Sequence, residues 1–203
     1  VKFHDETSLS ADVVKSNLER LLEVGSLLKG VPLAKIIAVD DYTLKLVTSE
    51  PFAPLAAYLA MGETAALALS SFSESGKVVK PVGTGPFVFK SWKVRDRVIT
   101  SCNNEYWGAQ AKVKKVVYQA VPDVVTRMAM LRAGDLDIAQ ILPPQAITSL
   151  ESSDKFEIMQ VPIGRCRMVG LNMAREPFSD SRMRRAVNMA VNRQDMVKYV
   201  LNG

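Results

Sequence analysis

Between Pro81 and Pro86 the chain reads Pro-Val-Gly-Thr-Gly-Pro, two prolines bracketing two glycines within six residues. No helix or central strand runs through such a segment. Proline lacks the amide donor that either ladder needs, and glycine loses more backbone freedom on ordering than any other residue. The polar stretch before it, 70–80 with Gly76, reads as a loop. Loop and Gly/Pro cluster together place a boundary near Pro81 to Gly85, and the chain is read on either side of it.

Before the boundary, Ser10 is an N-cap and Asp12 an acidic residue in a first helical turn. Val14, Leu18, Leu21, Leu22 and Gly25 then fall on one helical face, with Gly30 and Pro32 as the stop. The runs 34–39 and 42–48 flank Asp40-Asp41, and the second alternates with period two, which predicts a hairpin. Pro51 and Pro54 bracket the start of a short helix over 55–59. Val1-Lys2-Phe3 reads as a strand already under way, and the last residues stop just after a helix, so both ends read as those of an excised piece.

After the boundary, 87–89 and 97–100 are two strands joined by a polar turn, and 113–121 is a third. Asp123 caps a helix with Val124, Met128 and Leu131 on its apolar face, and Gly134 closes it. Short strands are expected at 136–138, 156–161 and 168–172, and a helix from Pro143-Pro144 to about Leu150. Asp180 caps a helix in which Met183, Ala186, Val187, Ala190 and Val191 recur at helical spacing. Asn192-Arg193 interrupts it, and a second helix follows over 194–201. Strands and helices mix without strict alternation, so the fold class is α/β, or more loosely mixed α+β.

At 203 residues, 48% hydrophobic and 23% charged, the chain has the composition of an ordinary globular protein. The net charge of +5 is scattered, densest at Arg182, Arg184 and Arg185, and forms no stripe interleaved with aromatics, so nucleic acid is not an expected partner. No apolar run reaches membrane-spanning length. Cys102 and Cys166 fit neither a disulfide framework nor a metal motif and are read as unpaired thiols.

Candidate chemistry fails on inspection. His4, the only histidine, ends an amphipathic strand before a turn and reads as structural. The glycines at 83 and 85 precede Pro86, and no Gly-Lys-Ser/Thr follows, so a phosphate loop is excluded. A tight turn, with glycines where a side chain would clash, is the expectation. Asp135 and Asp137 alternate around Leu136 and would share one side of a strand, but no third ligand lies at a sensible spacing. Glu105-Tyr106-Trp107-Gly108 reads as a core plug in preference to a ligand-stacking platform. No catalytic residue, metal site or cofactor is expected, and the chain is read as no enzyme.

Five blocks carry a resemblance. Val1-Lys2-Phe3-His4-Asp5 with Ser10 to Val14 forms a strand-turn-helix opening, and Pro81 to Phe87 holds a Gly-Thr-Gly-Pro-Phe element. Asn104-Glu105-Tyr106-Trp107-Gly108 is the third block. The fourth is Pro122-Asp123 with Thr126-Arg127 and then Leu131 to Ile138. The fifth runs from Leu171-Asn172 through Pro177-Phe178-Ser179-Asp180 and Arg182 to Ala186 to Ala190-Val191-Asn192-Arg193. In this order and spacing they resemble extracellular solute-binding protein family 5, the peptide/nickel-type receptors of ABC importers. The resemblance implies part of a periplasmic-binding-protein-like type II fold. Residues 1–82 would be a partial accessory subdomain, 83–175 the central part of a first lobe, and 176–203 the start of a second. One departure is Glu6, which stands where the family has glycine, so the turn must avoid a glycine-only conformation.

The function so implied is capture of a peptide or similar small organic solute and its delivery to an ABC permease. The setting would be periplasmic or extracellular, membrane-associated through the transporter. The alternative is a ligand-sensing module of a transcriptional regulator. The segment 61–69, where nickel-binding relatives carry arginines, has neither arginine nor histidine, which favours an organic solute over nickel. Met61, Gly62, Glu63 and Thr64 are expected to face the ligand from a short irregular stretch. Arg165, Cys166 and Arg167 are expected to do so from the start of a strand, where an arginine fork suits a carboxylate. The apolar face from Met183 to Val191 is short of partners, so self-association of this piece is an expectation.

Overall fold

Ser10 starts the first helix as its side chain predicts: its backbone is extended, and its Oγ accepts from the Val13 amide at 3.4 Å. In the computed structural model, which describes residues 1–151, 153–161 and 168–200, this helix is α1, Ala11–Val24. It stops before Gly30 and Pro32. Gly25 takes a left-handed φ of +86° and donates its amide to the Leu21 carbonyl, so it closes α1 instead of extending its apolar face. The residues that follow form a separate 3-10 turn, Leu27–Gly30.

The chain groups into two compact units, Val1–Ala120 and Val121–Gly203, described in turn. In the first, β1 (Leu33–Asp40) and β2 (Thr43–Thr48) form the expected antiparallel hairpin, with Ile36 opposite Leu46 and Ala38 opposite Leu44. Its inward side chains, Leu33, Ile36, Leu44 and Leu46, pack on a core of Leu18, Leu21, Leu28 and Val31. The short α2, Leu55–Leu59, adds Leu55, Tyr58 and Leu59 to the same core. A second cluster joins Phe3, Ala68 and Val82, with Leu9 and Val13 against it.

Two buried polar side chains fasten these parts. Asn17, 1% exposed, donates to the Val13 and Leu67 carbonyls at 2.8 Å each and accepts from the Leu67 amide at 3.1 Å. Fully buried Ser71 accepts from the Val82 amide through its Oγ at 3.0 Å. The opening residues form no extended strand. They make a single bridge, Lys2 to Ser8, around a turn in which Phe3 donates to the Thr7 carbonyl. Glu6 sits in that turn at φ +67°, so the turn does use the left-handed conformation that glycine prefers. The region is accessible to an L-residue at a cost, which is why glutamate is tolerated there.

The rest of the first unit is a meander of β3 (Phe87–Lys93), β4 (Arg97–Cys102) and β5 (Lys115–Gln119). A register shift between Phe89 and Ser91 leaves Lys90 bulged. β3 is longer and β5 shorter than the apolar runs alone predict.

In the second unit, α3 (Val124–Ala133) is capped by Asp123, whose Oδ1 accepts from the Thr126 amide at 2.7 Å, and closed by Gly134 at φ +82°. α4 spans Pro144–Glu151 and α5 spans Ser181–Ala190, the latter capped by Asp180. A single turn, α6 (Arg193–Asp195), continues as a π turn over Met196–Val200. The expected strands at 136–138, 156–161 and 168–172 are not present among the described residues. A strand needs an edge to pair with, and the described residues of this unit contain none. No helix among the described residues is long and apolar enough to cross a membrane.

Candidate functional site

The stretch Met61 to Thr64 folds as the sequence suggests, short and irregular: Met61 precedes a one-turn 3-10 helix, Gly62–Thr64. Its polar groups are already engaged by the backbone around them. Glu63 Oε1 accepts from the Leu27 amide at 2.8 Å, where it caps the 3-10 turn after α1. The Thr64 hydroxyl lies 2.8 Å from the Leu59 carbonyl and 2.6 Å from that of Met61. Gly62 and Glu63 are exposed, and Met61 and Thr64 half-buried. The other three expected contacts, Arg165, Cys166 and Arg167, lie outside the described residues.

The glycines at 83 and 85 are not demanded by close approach, because a Cβ on either would meet nothing within 4 Å. What distinguishes the segment is its carbonyls, four in a row and all accepting. The Gly83 carbonyl takes the His4 amide at 2.9 Å, and that of Thr84 takes the Trp107 indole Nε1 at 3.1 Å. The Gly85 carbonyl takes His4 Nε2 at 2.9 Å and Asn103 Nδ2 at 3.2 Å. The Pro86 carbonyl takes the Asn103 amide at 2.8 Å. A carbonyl only accepts, so His4 Nε2 carries a proton, and the histidine is the structural clamp its sequence context suggests. His4, from the opening turn, and Asn103 and Trp107, from one stretch after β4, meet on this backbone segment.

Trp107 is no core plug. It is 65% exposed and held at the surface by that indole bond. Tyr106 packs beside it with ring centroids 5.1 Å apart, and Gly108 leaves room for the Tyr106 ring, which a Cβ would meet at 2.7 Å. Asp135 and Asp137 share no strand face, since no strand forms there, and both are exposed. Among the described residues no group of three or more possible metal ligands converges. Cys102 is half-buried, its Sγ 4.0 Å from the Ala111 carbonyl, and Cys166 lies outside the described residues.

One feature escapes sequence reasoning altogether. Ile141 has φ +55° and is 86% exposed. A β-branched residue in the left-handed region is strained, because its Cβ crowds the following carbonyl. Arg127 secures the loop on either side of α3. Its Nη1 donates to the Val121 carbonyl at 2.6 Å and its Nη2 to that of Ile141 at 3.2 Å, while Nε is buried without a partner among the described residues. Ile138, three residues earlier, is exposed as well. An arginine that holds a strained loop with its apolar side chains outward is a candidate contact surface. No pattern of residue types announces it, because the strain is a property of the backbone.

Comparison with known proteins gives this geometry its context. A family model described as "Bacterial extracellular solute-binding proteins, family 5 Middle" matches residues 1–203. The glutathione-binding protein GsiB of Pectobacterium atrosepticum is 32% identical over 210 residues, which is 100% of this chain and 41% of that protein. The crystal structure of MoaA from A. tumefaciens R10 with mannopinic acid superposes with a TM-score of 0.89 at 24% identity, over 98% of this chain and 42% of that one. DppA of Helicobacter pylori, in complex with the peptide STSA, gives 0.80 at 24% identity, over 100% and 44%. The likeness to these two structures shows the fold, a partial periplasmic-binding-protein-like type II architecture. The chain spans well under half the length of the relatives it matches. Matched by the family model from end to end, the chain belongs to the bacterial extracellular solute-binding proteins, family 5.

Proposed function

We propose that this chain is part of a receptor that captures a short peptide or peptide-like solute outside the cytoplasm and hands it to the permease of an ABC importer. The observation that carries the reading is the end-to-end family match, with a glutathione-binding relative 32% identical across the whole chain. Glutathione is itself a modified tripeptide, so the proposed class is short peptides and peptide-like molecules. Capture needs no covalent step. A solute that touches two lobes when they are closed and one when they are open stabilises the closed form by its extra contacts. Residues 1–82 would belong to an accessory subdomain, 83–175 to the first lobe and 176–203 to the second.

Ile138 and Ile141 are proposed as an apolar wall of the solute site, held by Arg127. Met61, Gly62, Glu63 and Thr64, and Arg165, Cys166 and Arg167, are kept as further proposed contacts. Calorimetric titration of the complete polypeptide with glutathione, and separately with tri- and tetrapeptides, tests the reading. Saturable binding of at least one is the expected result, and heat-silent titrations with all of them overturn it. If one binds, Ile141→Gly should weaken it about tenfold while raising the unfolding midpoint, since it removes a contact and relieves strain together. Unchanged affinity in that variant removes the wall and leaves capture standing.

A further inference from the structure

The two hairpins of the first unit carry opposite charge at their tips. The β1–β2 turn presents Asp40, Asp41 and Tyr42, with Tyr42 90% exposed. The β3–β4 turn reads Trp-Lys-Val-Arg-Asp-Arg from Trp92 to Arg97, with Lys90 bulged just before it. Trp92 is 66% and Val94 67% exposed. Cross-strand register puts Trp92 beside Val98 and Val98 beside Tyr118, so an apolar row crosses the sheet next to the turn. Asp96 is taken up locally, 3.0 Å from Lys93 Nζ and 2.9 Å from Arg97 Nε. These contacts, Arg97 first and then Lys93, hold its carboxyl below the usual range, so it stays ionised and offsets one of four cations.

We infer that the β3–β4 hairpin tip docks this protein on an anionic lipid surface. Trp92 and Val94 would enter the headgroup layer, with Lys90, Lys93, Arg95 and Arg97 on the lipid phosphates. Tryptophan beside long cationic side chains is the combination that sits at a membrane–water boundary: the ring is amphipathic, and lysine and arginine stems lie along apolar groups while their heads reach the charge. An anionic surface attracts each such cation. An acidic protein partner would satisfy the cations too. A hairpin tip, however, offers protruding apolar side chains and no groove, which suits a deformable layer better than a rigid partner. The contact would be weak and reversible, as one aromatic anchor and a small net charge dictate. The inference is independent of which solute is carried.

The test is co-sedimentation of the complete polypeptide with vesicles of phosphatidylglycerol and phosphatidylethanolamine, against vesicles of phosphatidylcholine alone. Partitioning should be about tenfold higher on the anionic vesicles and should fall as salt is raised. Trp92→Ser with Val94→Ser should lower it several-fold, as should Lys93→Glu with Arg95→Glu. Tyr42→Ser, which removes an exposed aromatic from the acidic tip, should leave it unchanged. Circular dichroism confirms that each variant is folded. Absence of binding to anionic vesicles, equal binding to both lipids, or binding indifferent to the tip variants each overturns the inference. So does capture of the polypeptide by immobilised polyglutamate with no sedimentation on vesicles.

Discussion

Three side chains in the first unit do work that their exposure alone does not suggest. Glu6 holds a left-handed conformation in the opening turn. Its ion pair with Lys2, 3.4 Å long and exposed at both ends, contributes little. Glu6→Gly should therefore raise stability by up to about 1 kcal/mol, the relief of left-handed strain exceeding the extra freedom glycine has when unfolded. A lowered denaturation midpoint would show that the turn is not strained. Asn17 presents the reverse case. Asn17→Ala strands the half-buried Leu67 amide and carbonyl and should cost about 1–3 kcal/mol in chemical denaturation. Asp5 ties the turn down: the Ser70 hydroxyl and then the Thr7 hydroxyl donate to it and lower its pKa from the ordinary 3.8. A carboxyl depressed on folding adds stability that is fully present above its unfolded pKa and is lost as pH falls through the folded one. Asp5→Asn should thus reduce the dependence of stability on pH below about 4 and leave its slope near neutrality unchanged.

Helix ends announce themselves more clearly than strands in this chain, and the reason is local chemistry. Ser10, Asp123 and Asp180 each cap a helix as their side chains predict, because a cap is a contact within three residues. Asp123→Ala should lower stability by about 1 kcal/mol in thermal denaturation, since it removes the acceptor for the Thr126 amide. Gly134→Ala should act in the same direction, because its φ of +82° suits no side chain. Strands need a partner that no local pattern supplies. The apolar runs at 156–161 and 168–172 form none, whereas 97–102 pairs on both edges. α1 ends ahead of the stop that Gly30 and Pro32 predict, because Gly25 has the conformation of a cap. The candidate site is legible in the sequence only in part. Met61 to Thr64 was recognisable as an irregular stretch, but its hydrogen bonds to Leu27, Leu59 and Met61 were not. The strained Ile141 leaves no trace in residue type at all.

The second unit differs from the first in how little it buries: among the described residues Met128 and Leu150 are its only buried hydrophobics. Val125, Ile138, Met159, Met168, Val169 and Met189 are all strongly exposed, whereas in the first unit Leu18, Leu21, Leu28 and Val31 form a common buried core. Single exposed apolar residues are ordinary, but six of them on a unit that buries so little leave it with apolar surface able to associate. The amphipathic α5 has no buried residue, and Met183 and Met189 on it are exposed. The 203-residue chain, prepared by itself, should therefore elute from size exclusion as a concentration-dependent mixture of monomer and larger species, and should bind a hydrophobic dye. It should also bind neither glutathione nor short peptides measurably. Burying most of a small solute is what offsets the entropy lost on association, and a solute site shared with residues beyond this span, which is 41% of the length of GsiB, would be incomplete in it. Restoring the complete polypeptide should abolish dye binding and self-association together and bring solute binding into range. A monodisperse 203-residue chain that binds a tripeptide as tightly as the complete protein would mean that the solute site lies wholly within these residues.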